Sequence, residues 1–142
     1  MNEVAIPNSP YDALIGTEWV SDDPDDARVR LTMRDDHRQP MGIMHGGVMA
    51  SLIESICSRT CAKAVLPENR VSMGQNISVS FLRPISDGTV EVVARAVHRG
   101  RMSWVWQAEV RDSGGRVCAT AQMTTAVRDA PDGVDLSSLT GS

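Results

Sequence analysis

The sequence predicts an α+β fold in which a curved antiparallel sheet of five to six strands wraps around one long central helix. The segment 46–64 contains no proline and repeats apolar residues at helical spacing. Several other segments alternate apolar and polar residues, as half-buried strands do, and turn residues separate them. One long helix beside several such strands indicates segregated α and β elements rather than alternating β–α–β units.

The predicted helix has a broad apolar face that one stripe interrupts. Residues spaced by four, three and four share a helix face, and here they are small or polar: Gly47, Ser51, Glu54 and Ser58. The stripe therefore carries a single carboxylate among small residues. Small residues allow another backbone to approach closely or leave room for a substrate, so this face is the first candidate for a functional surface.

Five segments are predicted as strands: 27–33, 71–81, 90–97, 102–110 and 117–127. The second is expected to place these apolar residues on one face: Val71, Met73, Ile77, Val79 and Phe81. Turn residues at 86–88, 99–100 and 112–115 predict three successive hairpins, and thus an antiparallel meander. A short helix is predicted at 11–15, and the acidic segment 22–26 is interpreted as a turn around Pro24.

Length and composition restrict the class of protein. At 142 residues the chain is expected to form one domain over 1–142, with its core at about 10–128 and a flexible polar tail at 129–142. A net charge of −4 argues against a nucleic-acid surface. The sequence has no apolar run of membrane-spanning length and no signal-like N-terminus, so we expect a cytoplasmic protein without membrane contact. Three cysteines and three scattered histidines predict neither a disulfide framework nor a metal site.

The start of the helix is suited to polarising a carbonyl group. The first N–H groups of a helix lack partners within the helix and carry the positive end of its dipole. Because Gly46 and Gly47 have no side chains, a ligand oxygen could reach those N–H groups, and a tetrahedral oxyanion would be stabilised there. The alternative is that two glycines merely loosen the chain before a helix.

The candidate groups are too far apart to act together within one chain. His45 and Glu54 are nine residues apart, which separates them by roughly 13 Å at 1.5 Å per residue. Two antiparallel copies of the helix would bring each helix start to the other copy's Glu54. We therefore expect a two-fold homodimer with two active sites shared between its subunits.

The motif Gln39-Pro40-Met41-Gly42, followed by His45-Gly46-Gly47 and Glu54, resembles the hotdog-fold acyl-CoA thioesterases. It is most similar to the branch with Gln and Glu at these positions, which includes the Arthrobacter-type 4-hydroxybenzoyl-CoA thioesterases. The related phenylacetate-pathway enzymes usually have Asn and Asp there. Weaker matches follow in family order at 81–84, 98–101, 112–115 and 119–121, so the resemblance covers about residues 10–128.

The resemblance implies a thioester hydrolase that acts on an aryl-, short-chain or medium-chain acyl-CoA and needs no cofactor. Glu54 would attack the thioester or activate water, and the Gly46 N–H would bind the thioester oxygen. His45 and Gln39 would orient or polarise the acyl group, and Ser58 would help to hold the water. The competing interpretations are an ion pair of Glu54 with an arginine in an ordinary dimer contact, a loop hydrogen bond for His45, and a Ser58 that is solvated or bonded to its own helix.

A basic segment could hold the phosphates of coenzyme A. Within 92–107, which contains no acidic residue, the turn Arg99-Gly100-Arg101 is the main candidate, and Arg83 and Gly47 are further candidate substrate contacts. A solvated hairpin tip is the alternative.

The resemblance further implies a homotetramer built from dimers. Trp104 and Trp106 could line the acyl pocket or pack the core. A hotdog dehydratase or hydratase and a non-catalytic acyl-CoA-binding protein remain alternative functions.

Overall fold

The structure is a computed structural model that describes residues 4–139, in which one six-stranded antiparallel sheet packs against one long helix. The strands are β1 (Glu18–Asp23), β2 (Asp26–Thr32), β3 (Arg70–Phe81), β4 (Thr89–Arg99), β5 (Ser103–Arg111) and β6 (Val117–Asp129). The α-helices are α1 (Pro10–Ile15) and α2 (Gly46–Val65), and short 3-10 turns lie at Asp35–His37, Leu66–Glu68 and Ser137–Leu139. The α+β class, the central helix and the short N-terminal helix are confirmed.

The strand order is β1-β2-β4-β5-β6-β3. The meander of β4, β5 and β6 agrees with the prediction, but the predicted hairpin between β3 and β4 is wrong. β3 pairs with β6 at the opposite edge, and the connection from 82 to 88 crosses to the side of β2, where Met33 N–H donates to Gly88 C=O. A turn at Ser86-Asp87-Gly88 reverses the chain, but turn residues do not specify which strand becomes the partner.

The predicted common face of β3 is also wrong, because a bulge lies between Gly74 and Asn76. Before the bulge, Ser72 and Gly74 face the helix, since Ser72 Oγ donates to Ser58 C=O (3.4 Å). After the bulge, the inward positions shift by one residue, so Ile77 pairs with the buried Met123. An extra residue reverses the alternation of faces, so Met73 points away from α2.

Strand β1 was not predicted, because the acidic segment hides it. Asp22 and Asp23 end β1, and the turn itself is confined to Pro24 and Asp25. Asp22 is anchored to α2, since its carboxylate accepts from Lys63 Nζ (2.9 Å) and lies 3.4 Å from Arg59 Nε. These ion pairs hold the edge strand against the helix, where a polar sequence would otherwise indicate a loop.

The core lies between α2 and the inner face of the sheet. Its largest fully buried side chains include Trp106, Leu31, Leu52, Ile53, Ile56 and Met123. Burial of each of these side chains contributes about 1.5–3 kcal/mol. Trp106 is completely buried and donates its Nε1–H to Thr125 Oγ1 (3.2 Å), and Trp104 is almost buried beside it. Both tryptophans therefore belong to the core. No helix within residues 4–139 is long and apolar enough to cross a membrane.

Candidate active site

The helix start is reached through a tight turn at 39–43. Gln39 N–H donates to Ile43 C=O (2.8 Å), and Gly42 N–H donates to Gln39 C=O (2.9 Å). Gly42 has φ of 86°, a left-handed conformation that favours glycine. The side-chain Oε1 of Gln39 accepts the Met41 N–H. The turn thus orients Gln39 through its carbonyl oxygen and leaves its amide NH₂ group as a donor.

Arg38, which sequence reasoning missed, fastens this turn to the connection between β3 and β4. Its guanidinium donates to Gly42 C=O (2.6 Å) and Ser86 C=O (2.8 Å). Hydrogen bonds from its guanidinium to Asp35 and Asp87 hold the pKa of Arg38 above its usual value. A single charged side chain therefore positions the segment that leads to the helix.

His37, also missed, supports the same segment from inside. It is only 2% exposed, its Nδ1 accepts the Arg34 N–H (2.9 Å), and its Nε2 contacts Ile15 C=O (2.7 Å). Its own carbonyl accepts the His45 N–H (2.8 Å). Because an acceptor at Nδ1 and a carbonyl at Nε2 require the proton on Nε2, this histidine is a neutral structural link.

His45 caps α2. Its Nδ1 accepts the Gly47 N–H at 2.8 Å, so in the neutral ring the proton lies on Nε2. The ring is exposed, and its Nε2–H can donate to a ligand. The Gly47 N–H is occupied by this cap, which leaves any ligand contact at Gly47 to its bare Cα. His45 is thus a loop hydrogen-bonder and a potential donor at the same time.

Gly46 supplies the free N–H of the helix start. Within the described residues its N–H has no acceptor, whereas the N–H groups of His45, Gly47 and Val48 all have one. The ring of Phe81 lies against its Cα, because an added Cβ would come within 2.8 Å of Phe81 Cζ. A donor that has no partner at the positive end of a helix can bind a carbonyl oxygen.

Glu54 lies on the exposed side of α2, beside β3. Its Oε1 accepts from Ser58 Oγ (3.3 Å), and within residues 4–139 it forms no ion pair. The alternative of an arginine partner in a dimer contact stays open. A Cβ added at Gly74 would lie 3.0 Å from Glu54 Oε1. The carboxylate therefore occupies the space that the missing side chain at Gly74 leaves open.

These groups form two half-sites in one chain. The helix-start half consists of Gln39, His45 and Gly46, beside Phe81, and the carboxylate half consists of Glu54 and Ser58, beside Gly74. Gly46 and Glu54 are separated by roughly 12 Å along the helix at 1.5 Å per residue. The structure does not bring the halves together within the subunit, as the spacing of His45 and Glu54 predicted.

A third feature missed from the sequence links α1 to the helix start. Tyr11 Oη lies 2.7 Å from Ser51 Oγ, and Ser51 Oγ donates to Gly47 C=O (2.7 Å). Since Ser51 uses its only proton on Gly47, the Tyr11 hydroxyl is the donor to Ser51. Tyr11 is 52% exposed, and its hydroxyl contacts Ser51, a member of the stripe of small and polar residues that the sequence singled out.

The predicted basic residues lie at opposite ends of the sheet. Arg83 is exposed next to β3, and its N–H donates to Cys118 C=O at the start of β6. Arg99 forms an ion pair with Asp25 and lies over the ring of Trp104. Gly100 forms the tight turn, in which its N–H donates to Ser103 C=O (2.9 Å). Arg101 is exposed, and its carbonyl accepts from Arg70.

Other reactive groups do not contribute to this site. The three cysteines are free and buried, and burial followed by the charge of Glu54 raises the pKa of Cys57 far above its usual value. A thiol in that state is a poor nucleophile. Within residues 4–139, no group of three or more His, Cys, Asp or Glu side chains could hold a metal ion.

Comparisons with known proteins agree with this arrangement. The family model of the thioesterase superfamily matches residues 41–119. The chain is 34% identical over 110 residues to the 1,4-dihydroxy-2-naphthoyl-CoA hydrolase of Escherichia coli, covering 78% of this chain and 79% of that protein. It is 36% identical over 104 residues to the proofreading thioesterase EntH of Cronobacter turicensis, covering 72% and 75%.

The solved structures show the same fold. A thioesterase from Haemophilus influenzae superposes with a TM-score of 0.81 at 26% identity, over 88% of this chain and 87% of that one. This confirms the hotdog fold and the expected enzyme class, a thioester hydrolase. The chain belongs to the thioesterase superfamily, in its hotdog-fold form.

Proposed function

We propose that the protein hydrolyses an acyl-CoA thioester at a site that combines the helix-start half of one subunit with the carboxylate half of another. One observation carries the proposal. Among the described residues the Gly46 N–H has no acceptor and the Glu54 carboxylate has no cation partner, yet the two groups lie on one helix beside the same exposed edge strand, β3. Each half has what the other lacks for cleavage of an acyl group.

The edge of β3 supports a symmetric dimer. Within the described part of the chain, β3 pairs only with β6, and its exposed apolar side chains include Met73 (58%), Ile77 (37%) and Phe81 (54%). An open edge of this length is a template for pairing with another strand. We propose that two copies of β3 pair antiparallel about a two-fold axis through Ser78, which sets Phe81 opposite the bulge that begins at Gly74 of the partner subunit.

That register aligns the two half-sites. Gly46 lies against Phe81 and Glu54 lies against Gly74 in each chain. Because paired strands lie about 4.8 Å apart, the register brings the Gly46 N–H of one subunit to the side of Glu54 of the partner subunit. The two-fold axis generates two such sites in each dimer, and assembly of dimers into tetramers remains a prediction.

The proposed reaction follows from these positions. The thioester oxygen accepts from the Gly46 N–H and from His45 Nε2–H, which stabilise the negative charge that develops on it. Glu54 takes a proton from water as the water oxygen attacks the carbonyl carbon, or it attacks that carbon itself and forms an anhydride that water then hydrolyses. Collapse of the tetrahedral intermediate breaks the C–S bond and expels the coenzyme A thiolate. Ser58 donates to Glu54 Oε1 and holds the carboxylate.

The same register would gather the predicted phosphate contacts. Arg83 and Arg101 lie at opposite ends of β3 in one chain, because Arg101 C=O accepts from Arg70 at the start of that strand. Antiparallel pairing places the start of one β3 beyond the end of the other. Arg83 and the partner subunit's Arg101 would then flank one entrance, where guanidinium groups could bind the phosphates of coenzyme A. Arg99, already paired with Asp25, is the weaker candidate.

The test is thiol release from benzoyl-, phenylacetyl- and straight-chain acyl-CoA substrates by wild type, Glu54→Ala and Glu18→Ala. We expect Glu54→Ala to lose about 100- to 10,000-fold in kcat, the range for loss of a general base. Glu18 is an exposed carboxylate on β1, so Glu18→Ala should keep wild-type activity.

Full activity in a folded Glu54→Ala protein would refute the proposed role of Glu54. Hydration of an enoyl-CoA without thioester cleavage would indicate the dehydratase alternative. Tight acyl-CoA binding without turnover in wild type would indicate a binding protein.

A further inference from the structure

Gly74 lies where a side chain would compete with Glu54. An ideal Cβ built at Gly74 would lie 3.0 Å from Glu54 Oε1 and 3.0 Å from Met123 Cε. Both distances are shorter than ordinary contacts of a Cβ atom, which begin near 3.4 Å. Gly74 is not among the glycines with positive φ, so its backbone does not itself require glycine. Glycine is favoured at this position because the Glu54 carboxylate and the end of the Met123 side chain occupy the place that a side chain at position 74 would take.

The bulge in β3 maintains that space. The register of the β3–β6 ladder shifts between Gly74 and Asn76, so the inward direction changes from Gly74 to Ile77 across the bulge. Bulges redirect side chains and are frequent beside active sites. Without the bulge, a strand that keeps Ile77 inward would turn Gln75 rather than Gly74 toward α2. The bulge therefore presents a residue without a side chain to Glu54.

We infer that Gly74 is a positioning residue, whose missing side chain and adjacent bulge form a slot that sets the place of the Glu54 carboxylate. This inference rests on the proposed function of Glu54. The slot offers room rather than a hydrogen bond, and Ser58 Oγ at 3.3 Å is the only side-chain donor to the carboxylate among the described residues. The position of Glu54 is therefore determined largely by the shape of β3.

A side chain at position 74 is expected to displace the Glu54 carboxylate rather than the backbone. Both atoms that a Cβ would meet are the ends of flexible side chains, not backbone atoms. In Gly74→Ala they can rotate away, so the fold should tolerate the methyl group. The carboxylate then moves by several tenths of an ångström from its reacting position, and a displacement of about 1 Å can cost about 100-fold in rate.

The experiment compares wild type, Gly74→Ala, Glu54→Asp and the double variant in thiol release from the best substrate, with thermal unfolding of each. We expect Gly74→Ala to lower kcat roughly ten-fold, with KM within about two-fold and Tm near that of wild type. Aspartate is one methylene shorter and withdraws from the slot. Gly74→Ala should therefore cost little in the Glu54→Asp background, so the two losses in kcat do not multiply. Gly114→Ala, in the turn between β5 and β6 where an added Cβ would meet only Asp112 Oδ1 at 3.4 Å, is the matched control and should be silent.

A kcat of Gly74→Ala within two-fold of wild type, while Glu54→Ala is inactive, would overturn the role of Gly74 and leave the proposed function intact. Losses that multiply in the double variant would also overturn it, since they would show that Gly74 does not act through Glu54. If Gly74→Ala fails to fold, Gly74→Ala with Met123→Leu removes the second contact and leaves only the one with Glu54. An active Glu54→Ala protein would instead refute the function of Glu54 itself.

Discussion

The two half-sites of α2 are built in different ways. In the helix-start half, hydrogen bonds hold nearly every polar group: Arg38 fixes the turn at 39–43, and His45 is held through its backbone N–H and its Nδ1. In the carboxylate half, Glu54 has one long hydrogen bond and a space beside Gly74. The N–H donors that would bind the carbonyl oxygen are thus preorganised within a subunit, whereas the carboxylate has no ion pair with any described residue and lies beside an open strand edge.

This difference is what a shared site requires. A carboxylate that found an arginine in its own chain would have a lowered pKa and a fixed partner, and it would be a weaker base for a substrate. Arginines are available, since Arg59 and Arg70 lie near the middle of the helix and the start of β3, but they face other groups, Asp22 and Asp129. Both arginines are therefore engaged by other carboxylates and not by Glu54.

Subunit complementation tests most directly whether each active site combines half-sites from two subunits. Two differently tagged chains, Glu54→Ala and His45→Ala, are co-expressed, and the dimer that carries both tags is isolated. If sites are shared, one site of the mixed dimer carries both changes and the other carries neither. We expect about half of the wild-type kcat per dimer, because a two-fold dimer has two equivalent sites.

The parent homodimers, each with two defective sites, provide the baseline. An activity of the doubly tagged species no higher than the mean of the two parents would place both halves of each site in a single chain. Chemical crosslinking of the mixed sample verifies that the subunits have paired.

The part of this arrangement that lies along α2 could be predicted from the sequence, because it depends on residues close together in the chain. Gly46, His45 and Glu54 lie on one continuous helix, so spacing alone separated them and implied a partner. The bounds of α2 followed from an apolar repeat and the absence of proline. In both cases the information lies within about 20 residues of sequence, where helical periodicity is the strongest pattern.

Other features depend on partners distant in sequence and could not be predicted. Nothing near Gly74 indicates that the slot belongs to Glu54, twenty residues earlier, and a bulge leaves no reliable trace in an apolar alternation. Arg38 resembles any surface arginine until Ser86 C=O, 48 residues later, is placed beside it. β3 follows α2 in sequence but pairs with β6, the last strand. Long-range pairing is decided by the global packing of the sheet, not by the local turn.

A second prediction separates the two tasks of His45. In His45→Ala the helix loses its N-cap, which costs about 0.5–2 kcal/mol of stability, and the site loses the Nε2–H donor. Removing one oxyanion donor typically costs about 100- to 1,000-fold in kcat. His45→Asn is the matched variant, since asparagine can cap the helix but does not place a donor where Nε2 lies.

We therefore expect thermal unfolding to recover in His45→Asn while kcat, measured by thiol release, stays low. Recovery of both would mean that His45 serves only as a cap, and the helix-start half would then act through the Gly46 N–H alone.

The smallest expected effects come from removing one hydroxyl in each half. Ser58→Ala removes the only side-chain donor that residues 4–139 offer to Glu54 Oε1. Because the bond is long, we expect roughly a ten-fold loss of kcat, equivalent to about 1.4 kcal/mol. Tyr11→Phe removes a donor to Ser51 but leaves the Gly46 N–H and its dipole unchanged, so kcat and KM should stay within about two-fold of wild type.

Steady-state thiol release by both variants shows which half-site is more sensitive to the loss of one hydroxyl group. A larger loss of kcat in Ser58→Ala than in Tyr11→Phe would mean that the carboxylate half is the more sensitive, because fewer hydrogen bonds hold Glu54 in place. An equal or larger loss in Tyr11→Phe would contradict the comparison: the helix-start half would then extend through Ser51 to α1, and its apparent rigidity would depend on an exposed phenol rather than on the backbone of the turn and the helix cap.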